Sequence, residues 1–367
     1  MYKDTTNTTR ILHCPDNLGN NAKQLSDYQK EQGLNSWSIS LRKEQFGFEA
    51  DQTLIKSGSF VLGEFARWRL LWIAIFNFDV IHFNNGRTIM PHRLPFASVR
   101  KRTNSIVAAL YVIYAWVLEG KDLFILKALG KKIYFTYQGS DARLSSHYFQ
   151  LHSGDVLAEL NPDYLSPKAD QYKLRRIKRT EKYAEGIICL NPDLLTYFSA
   201  KAKFQPYYNI DLNEIKPHKI LESNTVHIVH APSKRDIKGT KYIVNAINEL
   251  REKNSNLRFS LVEGMSNRKA QKIYDTADIF IDQLIVGWYG GVAVELMARG
   301  VPVMCFINSS TDIQDTQIQS IESKLPILKT SIETIKTDLE NLLKLNKAEI
   351  RAIGENSRIF VNEEHRL

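Results

Sequence analysis

The chain has 367 residues, 43% of them hydrophobic and 24% charged. That length and balance exclude a disordered or fibrous polymer and leave room for two α/β domains, each with its own core. Its 49 basic against 40 acidic side chains, a net charge of +9, favour an anionic partner: nucleic acid, an anionic membrane surface or a phosphorylated small molecule. The sequence has no zinc-ligand spacing, aromatic RNA-binding string or basic heptad arm, so nucleic acid is not expected. Cys14, Cys189 and Cys305 are odd in number, far apart and set in apolar runs, which predicts buried free thiols and no metal site. The opening MYKDTTNTTR has no apolar leader core, and a cytoplasmic location is expected.

In chain order, Arg10–Cys14 reads as a first strand, a loop through Gly19 and Asn20 follows, and a helix over Ala22–Gln32 leads to a strand at Trp37–Leu41. This strand-loop-helix-strand order opens a doubly wound sheet. On the residues alone, Gly19-Asn20 reads as an Asx-type helix cap. Phe60–Phe78 is apolar and aromatic, and precedes the strand Val80–Phe83 with His82 inside it and a turn at Asn84–Arg87. Lying within the strand, His82 reads on its own as a satisfied core histidine.

Ile106–Leu118 is an unbroken apolar run behind Arg93, Arg100, Lys101 and Arg102. It is too short to span a bilayer. It reads as a buried helix or as a peripheral contact with an anionic membrane. The strand Ile133–Tyr137 ends in Gln138-Gly139-Ser140-Asp141-Ala142-Arg143. Asp141 could serve as a base or as a helix cap paired with Arg143; Gln138 can only hydrogen-bond. A polar stretch, Asn213–Asn224, marks a linker, and the domain boundary is set near residue 215.

The second half begins with the strand Val226–His230 and a basic loop, Ala231–Gly239, before a helix with apolar Ile243, Ala246, Ile247 and Leu250. That spacing is helical. Strand, basic loop and helix amino end make an anion site, with Lys238 and Gly239 at its centre. Then follows the string ADIFIDQLIVGWYGGVAVELMARGVPVMCFI, Ala277–Ile307. It reads as a strand ending at Asp282-Gln283, a glycine loop, a helix over Val292–Arg299 stopped by Gly300 and Pro302, and a buried strand. Glu295, placed in that helix's first turn, either complements the helix dipole or faces a ligand.

The run GWYGGVAVELMARGVPVM resembles the nucleotide-sugar signature of family 4 (group 1) glycosyltransferases. The resemblance implies an α/β chain of GT-B fold, two Rossmann-like domains facing a central cleft. Residues 1–215 would form the acceptor-side domain, 216–350 the donor domain, and 351–367 a terminal helix packing back across both. In the family pattern Glu295 is the second of two acids eight residues apart; Gly287 stands at the first. The arginine that normally precedes the lysine by five is replaced by Ser233, and Arg235 is the available substitute. His82 resembles the family's Asp-Val-Ile-His string, Gln138 stands where many members carry histidine, and Asn209–Leu212 resembles a junction segment.

The resemblance implies a retaining, metal-independent hexosyltransferase that uses a nucleotide sugar, UDP-linked by preference, as substrate, with no cofactor. The acceptor would be a glycan or a lipid-linked hydroxyl in polysaccharide assembly. Donor contacts would come from Gly19, Asn20, Ser233, Arg235, Lys238, Gly239, Asp282, Gly287, Tyr289, Gly290, Gly291, Val292 and Glu295. Catalytic contacts would come from Gln138 and Asp141, and acceptor contacts from His82 and Arg87. A non-catalytic GT-B protein, binding nucleotide or glycan or partnering another glycosyltransferase, is the alternative.

Overall fold

The computed structural model describes residues 9–44, 46–55, 60–208, 210–212, 215–218, 225–309 and 315–366. The opening decapeptide up to Thr8, Asn209 of the junction segment and most of the 213–224 linker lie outside them. The chain divides into two compact units: 1–142 with 173–190 and 194–205, and 143–172 with 191–193 and 206–367.

The first unit carries seven parallel strands: β1 (Arg10–Cys14), β2 (Asn35–Arg42), β3 (Gln52–Ile55), β4 (Val80–Asn84), β5 (Lys132–Tyr137), β6 (Gly186–Cys189) and β7 (Ala202–Phe204). Their order is β3-β2-β1-β4-β5-β6-β7. In the central pairing His13 stands beside His82. Most strand residues are buried on both faces, as in a sheet covered on both sides, and polar ones among them, Ser36, Ser38, Ser40, His13 and His82, are buried as well. Leu12, Ile81, Phe83, Ile133 and Phe135 form the core with helical Leu70, Ala74 and Ile177. Three helices matter below: α1 (Asn21–Glu31), α2 (Phe60–Asn77) and α3 (Ser105–Leu118).

The second unit has a five-stranded parallel sheet: β8 (Val226–His230), β9 (Leu257–Leu261), β10 (Ile279–Ile281), β11 (Val303–Cys305) and β12 (Leu328–Lys329), in the order β12-β11-β10-β8-β9. Its helices include α4 (Ser145–Leu151), α5 (Thr240–Lys253), α6 (Asn267–Tyr274), α7 (Gly291–Ala298) and α8 (Lys347–Glu364). Ile243, Ala246, Ile247 and Leu250 of α5 are buried, the face that the spacing predicts. Helix α8 opens with a capping box between Asn346 and Glu349 and packs along α7.

The strand order reverses between β1 and β4 in one sheet and between β8 and β10 in the other. Parallel α/β sheets bind ligands outside the carboxyl ends of their strands at such a reversal.

The sequence-based boundary at 215 differs from the contacts. Residues 143–172 join the second unit because their polar side chains are held there. Arg143, expected to pair with Asp141, forks onto Asp193 at 2.7 and 2.8 Å. On α4, His147 Nε2 lies 2.8 Å from the Val286 carbonyl, and the following His152 Nε2 lies 2.8 Å from that of Ile285.

Candidate functional site

At the β8–β10 reversal two loops leave neighbouring strand ends. The first runs from β8 through Ser233 to a single helical turn, Arg235–Lys238, and into α5 through Gly239. Gly239 has φ +70°, and a Cβ there would stand 3.0 Å from that of Leu284. Only glycine allows this loop to close so tightly on its neighbour. His230, the last residue of β8, joins both sides: Nδ1 is 2.7 Å from the Ile281 carbonyl and Nε2 is 2.9 Å from the Thr240 hydroxyl.

The second loop begins at Asp282. Its carboxylate, 1% exposed, lies 2.5 Å from Lys238 Nζ and accepts the Gly290 N–H at 2.7 Å. One acid thus fixes the lysine of the first loop and the cap of α7. A Cβ on Gly290 would sit 3.3 Å from Lys238 Nζ, so the glycine admits the ammonium to the main chain.

Glu295 is buried on α7, and α7 begins at Gly291 with no acid in its first turn. The dipole-complementing reading is therefore corrected: Glu295 lies one turn further in. Its Oε2 accepts from Gln271 Nε2 of α6 at 2.6 Å, and Arg299, which is bonded to the Glu295 carbonyl at 3.0 Å, lies close by. Burial pushes the Glu295 carboxyl up, against the opposing pull of Gln271 and Arg299. The phenol of Tyr274 is pushed up by burial and by the charges of Glu295 and Asp282.

Several expected donor residues stand elsewhere. Tyr289 is fully buried. Its hydroxyl is 3.1 Å from His365 Nε2 beyond α8, and His365 Nδ1 reaches the Tyr207 carbonyl at 2.7 Å. It packs the terminal helix rather than facing a ligand. Arg235 turns outward onto Glu263, with its Nε 2.8 Å from one carboxylate oxygen, and Ser233 is exposed. Val292 and Gly291 are half-buried in the first turn of α7. Gly287 has φ +89°, and a Cβ there would come within 2.8 Å of Asn308 Cβ.

In the first unit the loops after β1 and β5 bring Gly19, Asn20 and Gln138 into one neighbourhood. Gln138 Nε2 reaches the Leu18 carbonyl at 3.5 Å. Gly19 and Asn20 both have positive φ, +61° and +65°. The cap of α1 comes from Asn17, whose Oδ1 accepts the Lys23 N–H at 3.0 Å, so the Asx cap expected at Gly19-Asn20 is corrected by three residues. Arg87 is exposed, 3.5 Å from Asp16.

Asp141 accepts the N–H groups of Gly139 at 2.7 Å and of Gln138 at 3.1 Å. Burial pushes its carboxyl up while those donors oppose it. The carboxylate shapes its own loop. His82 is a core histidine: its Nδ1 meets that of His13 at 2.8 Å and its Nε2 meets the Thr136 hydroxyl at 2.8 Å. Burial drives its pKa well below 6.5.

Sequence reasoning missed Gln271, His147 and His152. No local motif marks a residue whose partner is a carbonyl or carboxylate far along the chain.

The comparisons agree with this architecture. A sucrose-phosphate synthase from Thermosynechococcus elongatus superposes with a TM-score of 0.60 at 13% identity, over 98% of this chain and 95% of that one. The Anabaena protein Alr3699/HepE, solved in complex with UDP-glucose, gives 0.56 at 13% identity, over 97% and 95%. The fold is GT-B. The catalytic domain of starch synthase IV from Arabidopsis thaliana, bound to ADP and acarbose, gives 0.55 at 12% identity, over 96% and 95%. No protein-family model and no curated sequence matches the chain. In this GT-B chain the described part of the signature region, with Lys238, Asp282 and Glu295, lies wholly in the second unit.

Proposed function

We propose that this chain is a retaining, metal-independent glycosyltransferase of family 4 that moves a hexosyl group from a nucleotide sugar, preferably UDP-linked, to a hydroxyl of a glycan or lipid-linked acceptor. The observation that carries the reading is the Lys238–Asp282–Gly290 constellation at the β8–β10 reversal. An ammonium has three N–H donors. Asp282 engages one, and the others would meet the donor's diphosphate together with main-chain N–H groups of the glycine loop. Glu295, deeper on α7, would accept hydrogen bonds from the ribose hydroxyls.

In the transfer the bond from the anomeric carbon to the diphosphate oxygen breaks and a bond to the acceptor oxygen forms. The proton of the acceptor hydroxyl passes to the departing diphosphate, which needs no side-chain base. That route fits an Asp141 already engaged by main-chain donors and a Gln138 that cannot take a proton. Lys238 would stabilise the charge that grows on the leaving group.

The second reading, a GT-B protein that binds donor without transferring, is favoured by Gly287 and Gln138, where the family carries an acid and a histidine. Thermal shift and calorimetry against UDP, GDP, ADP and their sugar conjugates test the site first. One nucleotide is expected to raise the melting temperature of the wild type. Lys238→Ala and Glu295→Gln, each referred to its own ligand-free melting temperature, are expected to lose about tenfold or more in affinity, the scale of one charge-assisted contact. Release of free nucleotide with acceptor then separates enzyme from binder. If no nucleotide stabilises the wild type, the donor reading fails.

A further inference from the structure

Both α2 and α3 are apolar on the side that faces water. On α2 the outward stripe is Val61, Phe65, Trp68, Trp72 and Phe76, spaced by four, three, four and four residues. The inward stripe of Ala66, Leu70 and Ala74 is buried in the core. On α3 the outward positions are Ile106, Leu110, Ile113 and Trp116, and the inward ones are Ala108, Tyr111 and Ala115. A surface helix ordinarily turns polar residues outward, and one that is apolar all round is buried or sits in lipid. Here the outward residues are open: Phe65 is 69% exposed, Trp72 60%, Ile106 75% and Trp116 63%.

The two helices enclose an apolar groove of about 370 Å³, lined by Phe60, Phe65, Trp68, Leu110, Tyr111 and Tyr114. Trp68 Nε1 donates to the Tyr114 hydroxyl at 2.9 Å. The polar tips of the groove thereby satisfy each other and lose little on leaving water. Its acid, Glu64, is held by Arg67 at 3.1 Å.

Around this apolar face the charge is basic. Arg100, Lys101 and Arg102 are exposed just before α3, and Arg69 is exposed on α2. At the far end of α3, Arg93 lies 5.4 Å from the Trp116 ring. From Ser105 to Leu118 α3 carries no charge at all. No helix among the described residues is long and apolar enough to cross a membrane.

We propose that the α2–α3 face is a docking surface for an anionic lipid bilayer. The apolar stripes enter the interfacial layer, Trp68, Trp72 and Trp116 sit at headgroup depth, and the groove takes up acyl-chain ends. Arg69, Arg100, Lys101 and Arg102 meet anionic headgroups. Charge complementarity selects this occupant over a second copy of the chain. A two-fold contact through the same face would set the basic rims against each other. The inference does not rest on glycosyl transfer and is tested without nucleotide.

The experiment is flotation of the full chain with phosphatidylcholine vesicles, with and without phosphatidylglycerol, read together with tryptophan emission. Binding is expected only with the anionic lipid, accompanied by a blue shift. Trp72→Ser with Trp116→Ser should weaken binding about tenfold. Arg100→Glu, Lys101→Glu and Arg102→Glu together should weaken it about a hundredfold at low salt. All these positions are exposed, so melting temperatures should stay at the wild-type value. Three results would overturn the proposal: no flotation with anionic vesicles at low salt, flotation undiminished by the tryptophan substitutions, or a concentration-dependent dimer abolished by them in a chain that ignores vesicles.

Discussion

Gly287 shows how a single position departs from a pattern for a structural reason. The glycosyltransferase signature that this run resembles has an acid there; this chain places a glycine at φ +89°, a Cβ on which would stand 2.8 Å from Asn308 Cβ. The main chain is committed as well, because the Gly287 carbonyl accepts the Asn308 N–H at 2.9 Å. Restoring the acid should therefore harm the protein. Gly287→Glu is expected to cost about 3 kcal/mol or more, from left-handed strain and crowding together, and to leave nucleotide affinity no better than wild type. Urea unfolding beside calorimetry checks both parts; a stable variant with tighter donor binding would refute this account. Lys238 and Glu295 stood out in the sequence because each sits in a motif with its own chain context. The buried position of Asp282 was not legible, since a carboxylate at a strand end looks the same whether it faces solvent or a lysine 44 residues away.

At the scale of elements, the central strands were readable because parallel strands covered on both faces are continuous apolar runs. Strands β3, β7 and β12 escaped notice: they stand at the sheet edges, and their short segments QTLI, AKF and LK lack the all-apolar run that marks the equally short β10 and β11. A terminal helix over 351–367 that packs back was expected from the resemblance, but the contact that pins its end was not, being set by one histidine beyond the helix. His365 is fully engaged between the Tyr289 hydroxyl and the Tyr207 carbonyl. It thereby ties the end of α8 to the loop that enters α7. His365→Ala should lower stability by about 2–4 kcal/mol, the loss of two buried hydrogen bonds and some packing. Combined with Tyr289→Phe, it should show a coupling of about 1 kcal/mol in a double-mutant cycle. Strict additivity would mean that α8 is held by its apolar face alone.

At the scale of the whole molecule, buried histidines contribute to the response to acid, in the same sense as the lowered carboxyls of Asp51 and Asp79. His13, His230 and His365 are each lowered from 6.5 to about 4, chiefly by burial, and His82 is lowered well below 6.5 by burial and by His13. A folded-state pKa below the unfolded one means that the unfolded chain takes up protons first. Stability from these groups is complete above about pH 6.5 and is lost as pH falls toward 4. The raised carboxyls of Glu295, Asp141 and Asp122 act in the opposite sense: their contribution is present at low pH and fades as pH rises through their folded pKa. A single substitution separates the two.

His230 is the clearest case. The Ile281 carbonyl can only accept, so Nδ1 carries the proton and Nε2 receives the Thr240 hydroxyl. Adding a second proton forces that hydroxyl to turn away inside a buried site beside Lys238. Each such histidine is worth about 3 kcal/mol across the window. His230→Asn cannot charge. Its melting temperature should be lower than wild type at about pH 7, yet fall less between about pH 7 and about pH 4.5. Parallel melting curves for the two proteins across that range would show that His230 is not among the groups that acid must charge to unfold the chain.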